Sequence, residues 1–259
     1  MAGALACVAG ALVGCSSGPK DNTAGWSPQK IQSEAMDERK SGNFEKAVTL
    51  FEKLEGRAAG TPLAQQAQLE KAYAQYKAGE PAQAEATLDR FMKNHPSSPA
   101  LDYALYLKGL VSFNDNLGMF GFLSRQNLSE RDQQAAKLSF ESFRELVNRF
   151  PDSRYAPDSR QRMVYIVNSL AEHEVHVARY YYQRGAYLAA ANRAQTALSD
   201  YVGAPSLEEA LFILVQSYDA LGMESLRDDA KRVLLANYPN SEFLAQGFKK
   251  ASDPWWKLW

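Results

Sequence analysis

One spacing pattern recurs along this 259-residue chain and limits its fold more than any other feature. It reads Gly42-x-Phe44-x-x-Ala47-x-x-x-Phe51-x-x-Leu54, then Gly79-x-Pro81-x-x-Ala84-x-x-x-Leu88-x-x-Phe91, then Gly185-x-Tyr187-x-x-Ala190-x-x-x-Ala194-x-x-Ala197. Gly42 and Gly79 are 37 residues apart, and so are Gly185 and Gly222. A proline falls 17 residues after the glycine at Pro96 and Pro239, and counting 17 back from Pro151 reaches Gln134, followed in register by Ser139, Phe143 and Leu146. Each part of the pattern has a physical meaning. The glycine ends a helix in the left-handed conformation. Apolar residues three and four apart form one helical stripe, the small residue lets two helices approach, and the proline stops the second helix. A chain so punctuated stacks helix pairs in a row, because one pair alone cannot bury its apolar face.

The unit resembles the tetratricopeptide repeat, a helix–turn–helix of 34 residues. The resemblance runs from Ile31 to about Ala245. It is imperfect: Ala59 and Val202 stand where proline is expected, and Gln134 stands at a glycine position. The fifth unit has Arg227 in the small-residue place, with Leu226, Ala230 and Val233 expected to supply its apolar stripe. Alanine is abundant, while valine and isoleucine are scarce outside Val164–Val167, which favours helix over sheet. The expected fold is therefore all-α, a superhelix of about five repeats and roughly ten helices. N-terminal repeats occupy 28–112 and C-terminal repeats 133–252, separated by an insertion at 113–132. Pro96 and Pro151 are 55 residues apart, about 20 more than a repeat needs, and the excess falls at 114–132 with Met119, Phe120, Phe122 and Leu123. Such a loop is either functional or disordered. The excess between Pro151 and Val202 is expected to go into a long helix or kinked pair from Pro157 to Arg184.

Residues 1–14 are apolar and small and lead into Leu12-Val13-Gly14-Cys15, which reads as a secretion signal ending in a bacterial lipobox. Cys15 would then carry a diacylglycerol through sulfur and an N-acyl chain, and no other cofactor is expected. The alternative is an ordinary signal that happens to contain a cysteine. Cys7 would leave with the signal, so no intramolecular disulfide is expected. Two or more acyl chains make a stable anchor, and Ser16 after the cysteine resembles an outer-membrane address. Residues 15–27 are expected to be a flexible tether, with Trp26 placed to dock on the first helix. At the other end, 253–259 is an aromatic tail with three of the four tryptophans, either folded back on the last repeat, bound to a partner or lying on a membrane surface. The formal charge is −1 with both signs interspersed, which argues against nucleic acid as a partner.

No enzymatic constellation is evident. His173 and His176 flank carboxylates at i, i+3, but the spacing is not HExxH and no third metal ligand accompanies them, so a solvated helix face is expected and no metal. Gly118 and Gly121 lack the Lys-Ser/Thr of a phosphate loop, and Arg131-Asp132 reads as a helix cap.

Binding surfaces are the better candidates. In tetratricopeptide folds the first helix of each pair lines the concave groove. Here it presents Arg39 and Lys40 in repeat one, Tyr73, Tyr76 and Lys77 in repeat two, and Tyr103 and Tyr106 on the next helix. Tyrosines beside cations suit an extended peptide ending in an aromatic residue and a carboxylate. The alternative has each tyrosine packed between repeats with its hydroxyl in water. In repeat four, Arg193 lies off the apolar stripe, flanked by Ala186, Ala189 and Thr196, as close approach by a partner would require. The alternative is a solvent-exposed arginine, or one paired with Asp200.

The lipobox, the repeats, the long insertion and the strings LDYALYLKGL (101–110), FPDSRY (150–155) and RGAYLAAANR (184–193) together resemble the BamD family, lipoproteins of the machinery that assembles β-barrels in Gram-negative outer membranes. The resemblance implies a non-enzymatic scaffold anchored on the periplasmic face. Its C-terminal repeats would bind the POTRA region of BamA through Arg193, with Asn192 and Arg184 beside it. Its N-terminal groove would bind the C-terminal signal of unfolded outer-membrane β-barrel proteins. Other lipoproteins of the machinery would be further partners. A different tetratricopeptide-repeat lipoprotein, scaffolding peptidoglycan or envelope complexes, is the alternative.

Overall fold

The computed structural model describes residues 22–113 and 133–248. Among them are eleven helices and no strand. The first five are α1 (Pro28–Lys40), α2 (Phe44–Arg57), α3 (Pro62–Lys77), α4 (Pro81–Asn94) and α5 (Leu101–Ser112). After the insertion come α6 (Gln133–Arg149), α7 (Ala156–Gln183), α8 (Tyr187–Asp200), α9 (Leu207–Ala220), α10 (Glu224–Asn237) and the short α11 (Glu242–Gln246). The signal, Cys15, the loop 114–132 and the tail 253–259 lie outside the described residues.

The punctuation acts as chemistry requires. At Gly42, Gly79, Gly185 and Gly222 the backbone is left-handed, with φ between 69° and 81°. At all four turns the glycine N–H donates to the carbonyl three back, and the next N–H donates to the carbonyl five back, as Gly79 does to Tyr76 and Glu80 to Gln75. This Schellman arrangement satisfies the orphan carbonyls of the finishing helix. Helix starts are fixed as directly. Ser27 accepts from the Lys30 N–H ahead of Pro28, and Thr61 accepts from the Ala64 N–H ahead of Pro62.

Helices α1 to α10 each pack mainly on their neighbours in the chain, and first helices of successive pairs also touch, α3 on α5 and α7 on α9. Small residues at the crossings, Ala47, Ala84 and Ala190, are fully buried and let Phe51, Leu88 and Ala194 close the space behind them. In the third pair, Ser139 of α6 donates to the Gly109 carbonyl of α5 at 2.8 Å. The extra length before Val202 forms one continuous helix, α7, of 28 residues rather than a kinked pair.

Two expectations are corrected. The end of the tether expected over 15–27 is fixed: Arg57 donates to the carbonyls of Thr23 at 2.5 Å and Trp26 at 2.8 Å, Thr23 is buried, and Trp26 packs on the core of the first pair. A long cation on α2 found carbonyls to hold, which composition does not reveal. In the fifth pair Ala230 and Leu234 are buried, but Leu226 and Val233 are nearly half exposed. Their faces would be covered by a following helix, and α11 packs on α9 instead, with Phe243 against Phe212 at 5.6 Å.

Candidate functional sites: an aromatic row and an arginine on alanine

The first helices of the pairs bring the N-terminal candidates into one row. Arg39 of α1 donates to Glu70 of α3 at 2.6 Å and lies 5.5 Å from the Tyr73 ring. Lys77, one turn further along α3, stands 6.0 Å from Tyr73 and 5.3 Å from Tyr76. Tyr103 of α5 comes next, its ring 5.6 Å from that of Tyr155 at the start of α7. Tyr106 also stacks on Tyr155, at 4.6 Å, and donates its hydroxyl to Asp158 at 2.8 Å. Arg162 holds the same carboxylate at 2.6 Å, and Arg154 lies 4.7 Å over the Tyr155 ring. Cations over aromatic faces are favourable.

Burial sets the electrostatics of the row. It pushes the Tyr103 hydroxyl well above its ordinary pKa, with Glu70, Tyr155 and Tyr73 adding to the effect. Tyr106 is pushed up to about 12, by burial first and then by Asp158 accepting its proton. Burial also raises the Glu70 carboxyl, with Arg39 opposing it. Tyr103 and Tyr106 are thus neutral phenols at neutral pH.

Lys40 does not join the row. It pairs with Asp37 at 3.7 Å on an exposed edge, because one residue turns a helix by about 100° and Arg39 takes the inward position. Nor is every tyrosine hydroxyl in water, since that of Tyr106 is tied to Asp158. Sequence reasoning missed Tyr155, Arg154, Asp158 and Glu70. The first three sit in or beside the FPDSRY string, where the sequence marks only the repeat-ending Pro151.

The C-terminal candidates are arranged differently. Arg193 projects from α8, where Ala190, Ala194 and Ala197 are fully buried against α7. Its Nη1 donates to both carboxylate oxygens of Glu174 on α7, at 3.1 and 3.4 Å. The Glu174 side chain is only 5% exposed, while that of Arg193 is 46% exposed. Asp200, the partner considered from spacing, instead accepts from Ser199 at 2.7 Å. Arg184 caps α7 and lies 5.3 Å over the Tyr180 ring. Asn192 is exposed beside Arg193. Arg184 lies ahead of α8 while Arg193 sits nearly two turns into it, and among the described residues no hydrogen bond joins the three. In the sequence Glu174 stands with His173 and His176 on an expected solvated face. Helix α7 buries it, and leaves His176 exposed.

With this geometry established, the comparisons with known proteins decide the family. The family model described as "YfiO: Outer membrane lipoprotein" matches residues 26–234. The chain belongs to the YfiO family. The match reaches from the docked Trp26 to the buried Leu234 and so takes in both candidate sites. Among relatives, the outer membrane protein assembly factor BamD of Neisseria meningitidis serogroup B is 46% identical over 237 residues, covering 92% of this chain and 89% of that protein. The protein of the same name from Xylella fastidiosa is 33% identical, covering 90% of this chain and 80% of its own length. That of Haemophilus influenzae is 31% identical, covering 90% and 89%.

Proposed function

We propose that this YfiO-family chain is an assembly factor for outer-membrane proteins, working as a non-enzymatic scaffold of the β-barrel assembly machinery. The observation that carries the reading is its 46% identity, over nearly the whole of both chains, to a protein named for that role. Anchored by acyl chains on Cys15, it faces the periplasm from the outer membrane. The tyrosine–cation row takes the aromatic, carboxylate-ended terminus of an unfolded barrel protein, a use supported by Lys77 and Arg154 lying over tyrosine rings. The Arg193 surface takes the POTRA region of BamA, supported by an exposed guanidinium on a helix with small side chains. Other lipoproteins of the machinery complete the assembly.

Affinity purification of the tagged chain from detergent-solubilised outer membrane tests this. BamA should co-purify, and depletion of the chain should empty the outer membrane of barrel proteins. Recovery without BamA, with barrel proteins intact after depletion, would reject the reading in favour of a different envelope scaffold.

A further inference from the structure

An arginine fork presents two edges to a carboxylate, Nε with Nη2 or Nη1 with Nη2, and which edge is free decides what it can bind. In Arg179 of α7 the first edge is occupied within the fold: Nε and Nη2 both donate to Glu209 of α9, Nη2 at 2.5 Å. Arg193 differs. Only Nη1 is engaged, at 3.1 and 3.4 Å from the two oxygens of Glu174, and among the described residues nothing accepts from Nε or Nη2. The holding group is itself immobile. Glu174 is buried on α7, and α8 lies close over it because Ala190, Ala194 and Ala197 are fully buried at the crossing. A carboxylate at that depth is costly to keep charged without a partner, so it holds the guanidinium where it is.

We infer that Glu174 is a positioning residue: it clamps Arg193 by Nη1 and leaves the Nε–Nη2 edge pointing outward for a two-point contact with a carboxylate on the partner. This rests on the reading of the Arg193 surface as the partner contact. A free surface arginine loses its rotamer freedom on binding, whereas a clamped one has lost it already, so the clamp appears as affinity. It also separates Arg193 from Arg179, whose equivalent edge is closed by Glu209.

The test measures binding of the full mature chain to the purified POTRA region of BamA from the same organism, with thermal melts as a folding control. Arg193→Ala should weaken binding. Glu174→Ala should weaken it roughly fivefold, the entropy of one immobilised long side chain, and should have no further effect in the Arg193→Ala background. Glu174→Gln, whose amide oxygen still accepts from Nη1, should keep most of the affinity. Glu174→Asp keeps the charge but cannot reach, and should behave like Glu174→Ala, which gives a second route if the alanine variant does not fold. Binding unaffected by both Glu174→Ala and Glu174→Asp, or reduced equally with and without Arg193, overturns the positioning role while leaving the Arg193 contact standing. Binding unaffected by Arg193→Ala overturns both.

Discussion

Gly109 of α5 lies flat against the ring of Phe143 of α6: a Cβ at that position would stand 2.5 Å from the ring Cε1. Phe143 is fully buried and cannot swing aside, so the crossing of the third helix pair requires the absence of one methyl group. Gly109→Ala should therefore destabilise the fold despite improving helix propensity. Overpacking costs about 1–3 kcal/mol, against a gain of about 1 kcal/mol from replacing a mid-helix glycine. A thermal melt should shift down by a few degrees, and an unchanged or raised midpoint would show that the ring has room to move.

The carboxyl of Glu55 links α2 to α3 and α4. It accepts from Gln68 at 2.7 Å, from the buried Lys71 at 2.5 Å and from Arg90 at 3.2 Å. Burial pushes its pKa up, but these donors outweigh burial and hold it below the ordinary glutamate value. The folded state then binds fewer protons than the unfolded state as pH falls through that range. The group's contribution is present above the unfolded pKa and is lost on acidification through the lowered folded one. Glu55→Gln should lower stability at neutral pH and flatten its fall in acid. Parallel stability–pH curves for the two proteins would count against this linkage.

In the aromatic row, Lys77 has ring partners and no carboxylate partner among the described residues. Lys77→Glu should weaken a peptide ending in phenylalanine with a free carboxylate by roughly 1 kcal/mol, about fivefold in Kd, and reduce the salt dependence. Amidating the peptide terminus should abolish the difference between the two proteins. If the amidated and free peptides bind alike to the native chain, the cation has no carboxylate to meet.

Arg193→Glu faces a new carboxylate toward Glu174. Association with BamA should fall by about 2–5 kcal/mol, as it does when one member of a partly buried charge pair is reversed. Because the buried Glu174 also loses its partner, the melting temperature should drop as well. A normal pull-down from the variant would remove Arg193 from the contact.

On the proposal that Cys15 is acylated, Cys15→Ala removes the attachment point, and each buried methylene of an acyl chain contributes about 0.8 kcal/mol to membrane binding. The variant should fold normally and appear in the soluble periplasmic fraction. Retention in the membrane pellet after a high-salt wash would mean that something other than lipid holds the chain there.

The helix pairs were legible because glycine stops and alanine crossings are local statements about backbone conformation and bulk. Gly79, Ala84 and Phe91 carry their meaning in a window of a dozen residues. The sites were less legible because their pairings are not local. Arg39 meets Glu70 across 31 positions, Tyr106 meets Asp158 across 52, and Arg193 meets Glu174 across 19. Arg193 could be picked out by its alanine neighbours, but no periodicity within α8 states which acid on α7 lies beneath it. Lys40 shows the converse failure: counting positions placed it in the groove, and a turn of one residue takes it out.

Nearest-neighbour packing along the helices has one further consequence, for how mutations propagate. The tyrosine row rests on the small cores of the first three pairs, whereas Arg193 and Glu174 rest on the larger core that runs from α6 to α11. Tyr106 is one of the few side chains packed against both sides of that division. Damage to one candidate site is therefore confined mostly to its own half, and each half can drift in sequence without disturbing the packing of the other. In its packing the molecule is two halves on a shared spine, with α5 as the vertebra between them.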